Sequence, residues 1–526
     1  MSIRNDISSI VNVFSREGMV DNNQDKSLNR LAGYAALIDR YGFDVIPNWH
    51  RSFVATRGIH RIDSTGEVIE EVYPAKYWPG DSLGDHLEFA LKYDGTNLAL
   101  IAILFQKVDA KDILKYVQSK PTGKYARRLW FLYEFLTGET LPLDDLKQGN
   151  YIDLLDPDEY CTVNPARQIR RQRINDNLLG EHRFCPTVRR TGTIKEFETA
   201  DLTRRCRQVV SAYSPELLKR ALGYLYSKET KSSFEIEHVT PTSTRAERFI
   251  ALLQIAEQED FCEKEQLIEL QNRIVDARFR DSDYRLNQNY VGETVAWQRE
   301  KIHFVCPKPE DLTDLMAGLI SASKRMETGN VFAVIHAAVI AYGFVYLHPF
   351  DDGNGRIHRF LIHNILARRG FTPDGIMFPV SAFMLKNPTD YDASLEAFSR
   401  QVMPLVEYSI DEEGHMTVHN ETAVWYRYMD MTSQAEELFR FIEQTIETEL
   451  VHELAFLANY DETKKTIQEI VDMPDRLIDL FIRLCLQNNG RLSVQKRSSH
   501  FKILTSDEIG RMEEAVQNAY GKNISS

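Results

Sequence analysis

The run His348-Pro349-Phe350-Asp351-Asp352-Gly353-Asn354-Gly355-Arg356-Ile357-His358-Arg359 gathers a base, two carboxylates, a glycine loop and two guanidinium groups in one short segment. Pro349 disfavours helical geometry at the residue before it, so His348 closes the apolar run Phe344-Val345-Tyr346-Leu347 at a helix end. Gly353-Asn354-Gly355 then supplies flexible backbone with exposed N–H groups. A new helix starts near Arg356, because Ile357, Phe360, Leu361 and Ile365 mark an apolar face. A glycine-rich loop feeding a helix N-terminus attracts anions, since oriented N–H groups and the positive dipole end face the same point. Arg356 and Arg359 are one helical step apart, so both can point at one polyphosphate. Asp352 is a hard oxygen ligand suited to magnesium, and His348 can be a neutral base at pH 7. Base, metal carboxylate, phosphate cradle and two arginines are the parts required for phosphoryl or nucleotidyl transfer.

Competing chemistries fit less well. A zinc site from His348, His358 and His363 fails because His358 and His363 are five apart and do not share a helix face. A calcium loop beginning at Asp352 would need an oxygen ligand where Arg356 stands and a glutamate where His363 stands. His358 is read as a surface or packing residue without a chemical role.

The elements that must hold this segment can be outlined from pattern. The chain has 526 residues, 43% hydrophobic and 27% charged, which is ordinary globular composition for several domains. Its formal charge of -14 argues against coating nucleic acid or an anionic membrane as the main task. The six cysteines form no C-x-x-C pair and are expected to be free thiols in a reducing compartment. The N-terminus lacks signal-peptide shape, and Val331–Leu347, interrupted by His336, reads as a buried helix rather than a membrane span. The expected location is cytoplasmic.

Residues 1–205 read as a helix-rich N-terminal domain with small β elements, among them a hairpin between Ser52 and Val72 turning at Ser64-Thr65-Gly66. Arginines are dense from Arg167 to Arg205; a solvated connector accounts for them as well as a phosphate-binding surface does, and a boundary is placed there. Residues 206–408 read as nearly all helix, interrupted by Tyr290–Pro309, which looks like a β-hairpin flap with a proline stop. Residues 409–526 read as a C-terminal module of helix, helix and a short strand at Gly490–Val494, an order shared by winged helices and small α+β caps. The fold class expected is mainly α.

With these residues in view, the segment His348–Arg359 resembles the signature His-Pro-Phe-x-Asp-Gly-Asn-Gly-Arg-x-x-Arg of Fic-domain proteins, with every signature position filled. The resemblance implies a Fic-type helical bundle and an enzyme that moves AMP from ATP to a Ser, Thr or Tyr hydroxyl of a target protein, which includes the chain itself among candidates. It implies His348 as base and Asp352 as holder of Mg2+. It assigns Gly353, Asn354, Gly355, Arg356 and Arg359 to the nucleotide phosphates, and the Tyr290–Val305 stretch to aligning the target. It implies self-regulation as well: Ser233-Phe-Glu-Ile-Glu237 fits the family's [S/T]-x-x-x-E-[G/N] inhibitory helix, whose glutamate pairs with the second motif arginine. Two positions depart from the family. His238 stands where Gly or Asn is usual, and Asp390-Tyr391-Asp392 offers one tyrosine, Tyr391, where a pair near the adenine is common. Kinase-like relatives carry lysine where this chain has Gly355, so AMP transfer is the preferred reading. Transfer of another phosphate-containing group, removal of AMP from a target, and nucleic-acid binding through the C-terminal module stand as alternatives.

Overall fold

A computed structural model describes residues 29–521 except 57–59, 66–67, 297–298 and 374–375. The chain divides into two compact units, Met1–Leu143 and Asp144–Ser526. In the first unit a four-stranded sheet runs in the order Asn29–Leu31, His50–Ala55, Val68–Tyr73, Arg61–Thr65. The hairpin expected between Ser52 and Val72 is its Arg61–Thr65/Val68–Tyr73 pair, antiparallel, with Gly66 outside the described residues. In the same unit, the helix Leu98–Lys107 is buried on every side from Leu98 to Phe105.

The second unit holds the motif. Its centre is the helix Ala333–Leu347, in which every residue from Val334 to Phe344 is buried. The expected buried helix is therefore present, and among the described residues no helix is long and apolar enough to cross a membrane. It packs against the motif helix Asn354–Arg368 and the helices Pro309–Thr328 and Thr432–Gln444. Pro309 sits at the first turn of its helix, where a missing N–H costs nothing. The long helix Pro215–Ile236 starts the same way: Ser214 accepts a hydrogen bond from Leu217 N–H and Pro215 follows. The flap forms as expected, Tyr290–Ala296 pairing antiparallel with Arg299–Val305.

Two expectations need correction. The first concerns the boundary near residue 205, which falls inside the second unit. The arginine-dense stretch is folded and paired: Arg171 with Asp145 at 3.0 Å, Arg189 with Asp430 at 3.0 Å, Arg190 with Glu198 at 2.6 Å and Arg205 with Glu443 at 2.8 Å. Its charges are complemented by acids far along the chain, which composition alone cannot register. The second concerns the strand at Gly490–Val494. Asn489 and Gly490 both take left-handed backbone, and Ser493 caps a helix Val494–His500 by accepting from Lys496 N–H. The C-terminal helices Val451–Ile470, Asp475–Leu486, Val494–His500 and Ser506–Tyr520 close over Ile478, Phe481, Phe501 and Met512 without a wing strand among the described residues. All six cysteines are free and buried, as expected of thiols not engaged in bridges.

Candidate active site

The central helix ends at His348, whose backbone turns left-handed (φ 50°). That turn aims the imidazole back at the helix end, with Nδ1 3.2 Å from Val345 O. A carbonyl only accepts, so Nδ1 carries the proton and Nε2 is the bare nitrogen of the neutral ring. Burial, reinforced by the positive charge of Arg285, pushes the His348 pKa down to about 4. The ring is thus neutral at pH 7.

Arg285 was not singled out by sequence reasoning. It is 4% exposed. Its Nε donates to His348 O at 2.7 Å, Nη1 to Asn287 O at 2.7 Å and Nη2 to Pro307 O at 2.7 Å. One guanidinium therefore ties the histidine to both ends of the flap. An isolated arginine in an irregular stretch carries no spacing signal that could have revealed this.

The loop after His348 is braced from within. Asn354 accepts from Phe350 N–H at 3.1 Å and donates Nδ2–H to Phe350 O at 2.7 Å. Its side chain is committed to shaping the loop, which leaves backbone N–H groups rather than the Asn354 amide to face a phosphate. Gly353 is left-handed (φ 95°), and a Cβ there would lie 2.9 Å from Val275 Cγ1, so glycine is required on both counts. Asp281 accepts from Asp351 N–H at 3.2 Å; burial, with Asp351 and Asp352 nearby, raises its pKa.

Arg356 is 2% exposed, with Nη2 2.6 Å from Asp352 Oδ1. Its Nε and Nη1 have no hydrogen-bond partner among the described residues. Its guanidinium carbon stands 5.3 Å from the Phe234 ring centre. Unmet buried donors are costly, about 1–3 kcal/mol each, and a polyphosphate at the loop would satisfy them. Arg245, also missed from sequence, places its guanidinium 5.3 Å from the same ring; burial and the neighbouring Arg356 lower its pKa. The side chain of Asp352 is 46% exposed and presents one hard oxygen at the mouth of the loop. Among the described residues no cluster of three metal-ligating side chains exists. The donor set fits magnesium held by one carboxylate, with substrate phosphates and water completing its shell.

Arg359, 1% exposed, is held on several sides. Nε donates to Ser233 Oγ at 3.0 Å and Nη2 to Ser233 O at 2.6 Å, while Nη1 donates to Tyr391 OH at 3.3 Å. Nη2 also donates to Glu237 Oε1 at 2.8 Å. Burial opposes the Glu237 charge, but Arg359 outweighs it and holds the carboxyl below its usual range. The carboxylate lies directly over the glycine loop: a Cβ at Gly355 would be 2.1 Å from Glu237 Oε1. The room expected at Gly355 for a phosphate is taken here by Glu237.

The departure at His238 has a backbone explanation. His238 is left-handed (φ 55°) at the end of the Pro215–Ile236 helix, with Val239 N–H reaching back to Phe234 O at 3.0 Å. Gly and Asn are favoured at such helix ends because they adopt this conformation most readily. His238→Gly should relieve about 1 kcal/mol of backbone strain and slow amide exchange at residues 236–239 by roughly fivefold. Unchanged exchange there would remove this account.

Tyr391 differs from expectation. It is 5% exposed, bonded to Arg359 and stacked on His358 with ring centres 6.2 Å apart, so it braces the arginine from the core side instead of lying open to an adenine. His358 is fully buried between Tyr391 and Tyr342, a packing residue and not a surface one.

A neutral base at a helix end, a braced glycine loop, Arg356 with unmet N–H groups and the engaged Arg359 meet in one helical core. Residues 261–366 match the Fic/DOC family. Ser233, Glu237 and Tyr391 lie outside the matched stretch. A protein adenylyltransferase Fic of Drosophila mojavensis is 33% identical over 110 residues, 20% of this chain and 20% of the relative. That of Aedes aegypti is 32% identical over 117 residues, 22% of this chain and 21% of the relative. The matches thus span about a fifth of the length of these relatives. Among solved structures, a Fic family protein from Desulfovibrio desulfuricans G20 aligns at 16% identity and a TM-score of 0.34, covering 63% of this chain and 84% of that one. A Fic domain containing signaling protein from Bacteroides thetaiotaomicron aligns at 18% identity and a TM-score of 0.34, covering 51% and 95%.

Proposed function

We propose that this protein is a protein adenylyltransferase that moves AMP from ATP onto a hydroxyl of a target protein, and that Glu237 restrains it. The observation that carries the reading is the bare Nε2 of a neutral His348 beside the anion cradle with its unmet Arg356 donors. The target hydroxyl oxygen bonds to the α-phosphorus, and the bond from that phosphorus to the bridging oxygen breaks. Pyrophosphate leaves with the electron pair, and His348 Nε2 takes the hydroxyl proton. Loop N–H groups and Arg356 hold the phosphates; Arg359 reaches the γ-phosphate only when Glu237 has left it. Magnesium, when bound at Asp352, neutralises phosphate charge. The flap hairpin aligns the target segment by strand pairing. The relatives' names, protein adenylyltransferase Fic, support AMP as the transferred group.

The test is incubation with magnesium and ATP labelled at its α- or its γ-phosphorus. The α-label should enter protein and the γ-label should not; the reverse result would make the protein a kinase. Asp352→Ala should remove detectable transfer and weaken magnesium-dependent ATP binding in calorimetry by about tenfold or more, since a charge-assisted contact of about 1.5–3 kcal/mol is lost. Unchanged magnesium dependence would move the metal away from Asp352.

A further inference from the structure

The Pro215–Ile236 helix and the motif helix meet along a polar ladder whose steps are four residues on both sides. Glu237 lies over Gly355. Ser233 holds Arg359 through its hydroxyl and its carbonyl at 3.0 and 2.6 Å. Glu229 Oε1 lies 2.8 Å from His363 Nε2, a close approach without hydrogen-bond geometry. As the first helix runs 229, 233, 237, the second runs 363, 359, 355, so the two run in opposite senses with their four-residue ridges facing each other. Four residues of helix rise about 6 Å, so the ladder is some 12 Å long.

The far rung is the most buried. Glu229 and Ser233 are 0% exposed, and Ser381 on the helix Val380–Lys386 is also 0% exposed. Ser381 completes the rung by donating its N–H to Glu229 Oε2 at 2.9 Å and its hydroxyl to Glu229 Oε1. A buried ionisable cluster of this kind adds little net stability, because desolvation offsets attraction. It is, however, unforgiving of register: a one-residue slip turns a helix by about 100°, carrying Glu229 away from its donors and Glu237 away from Gly355 together.

We propose that Glu229, His363 and Ser381 are positioning residues that lock the register of the upstream helix and thereby seat Glu237 on the glycine loop. The regulatory part rests on the reading of Glu237 given above. The need for a lock follows from where Glu237 sits. It is the capping residue of its helix, followed by left-handed His238, and helix ends are the first parts to open. One ion pair at such an end would hold the carboxylate only part of the time. The rung two turns back fixes the helix before it reaches the site. The preceding residue, Lys228, pairs with Glu449 and Glu453 at 2.6 Å each, so the helix keeps a second attachment when the lock is removed.

The experiment compares wild type, Glu229→Leu/His363→Leu, the milder His363→Gln and Glu229→Gln, each also with Glu237→Gly. The Leu/Leu change removes both ionisable partners but leaves the Ser381 N–H without its acceptor, a cost of about 1–3 kcal/mol, so folding is checked by circular dichroism. If the Leu/Leu protein does not unfold cooperatively, His363→Gln carries the test, with a smaller effect in the same direction. Amide exchange at residues 233–239 should speed about tenfold in Leu/Leu. AMP transfer should rise about 5- to 30-fold in Leu/Leu, and Leu/Leu should add no further rise to the Glu237→Gly protein. Glu229→Gln keeps an acceptor for Ser381 and should stay near wild type. Wild-type exchange at 233–239 in Leu/Leu overturns the lock, as does wild-type transfer while Glu237→Gly alone is activated. If Glu237→Gly does not activate, the inhibitory role of Glu237 falls, and exchange at 233–239 alone decides whether the lock exists.

Discussion

Glu237→Gly should raise AMP transfer by roughly 30- to 1,000-fold, the equivalent of removing a block of ~2–4 kcal/mol. In the proposed reading Glu237 occupies two places a productive ATP needs: it takes the Nη2–H of Arg359 at 2.8 Å, and it fills the space above Gly355. With the carboxylate present, the outer phosphate cannot reach Arg359 and the α-phosphate cannot settle on the loop, so in-line geometry is lost. Removing it frees both places at once. Adding Arg359→Ala to Glu237→Gly should return the rate toward wild type, because the freed arginine is what holds the activated nucleotide. The restraint should be steady across ordinary pH. A carboxyl whose pKa is lowered from 4.5 keeps its ionic contact above that value and loses it only as pH falls through the lowered one. The ratio of Glu237→Gly to wild-type rate should therefore be flat from about pH 5 to 8. Equal labelling by the two proteins would reduce Glu237 to a helix-capping residue.

His348→Ala should lower transfer by about 10²- to 10⁴-fold, the usual contribution of a positioned base, while ATP affinity measured by calorimetry changes little. A base acts in the transition state, whereas the phosphates are held by the loop and the arginines. The pH profile gives a second check, best read in the Glu237→Gly background. His348 is a base only when neutral, and its pKa is pushed down to about 4. In that background kcat/KM should hold level as pH falls from 8 to about 5 and drop only as the ring protonates. Arg285→Lys, which keeps the charge but not the forked contacts to His348 O, Asn287 O and Pro307 O, should lower kcat more than it changes the position of that acid limb. Transfer at wild-type rate by His348→Ala would dismiss the base assignment.

Much of the centre could be read from the chain because it is local. His348, Asp352, Gly353, Arg356 and Arg359 are neighbours in sequence, and a loop followed by a helix gives such neighbours fixed relative positions. The flap was legible for the same reason, since a hairpin declares itself within its own residues. The paired arginines of 167–205 were not: Arg189 and Arg205 find Asp430 and Glu443 more than two hundred residues away, and even the nearer acids, Asp145 and Glu198, are brought in by folding. Nor was Tyr391's place: the resemblance set it near an adenine, and in the structure it lies buried against His358 and Arg359.

By itself the sequence determined the motif, the flexible glycine loop and the helical character of the domain, all consequences of short-range backbone geometry. Tertiary structure alone decided that Arg285 clamps His348 and that Glu229 lies against His363, and it brings about across 122 residues the meeting of Glu237 with Arg359 that the resemblance implied. Those meetings depend on which ridges of separate helices interlock and in what register. That choice is made by the whole buried interface between them, and no stretch of chain carries it alone.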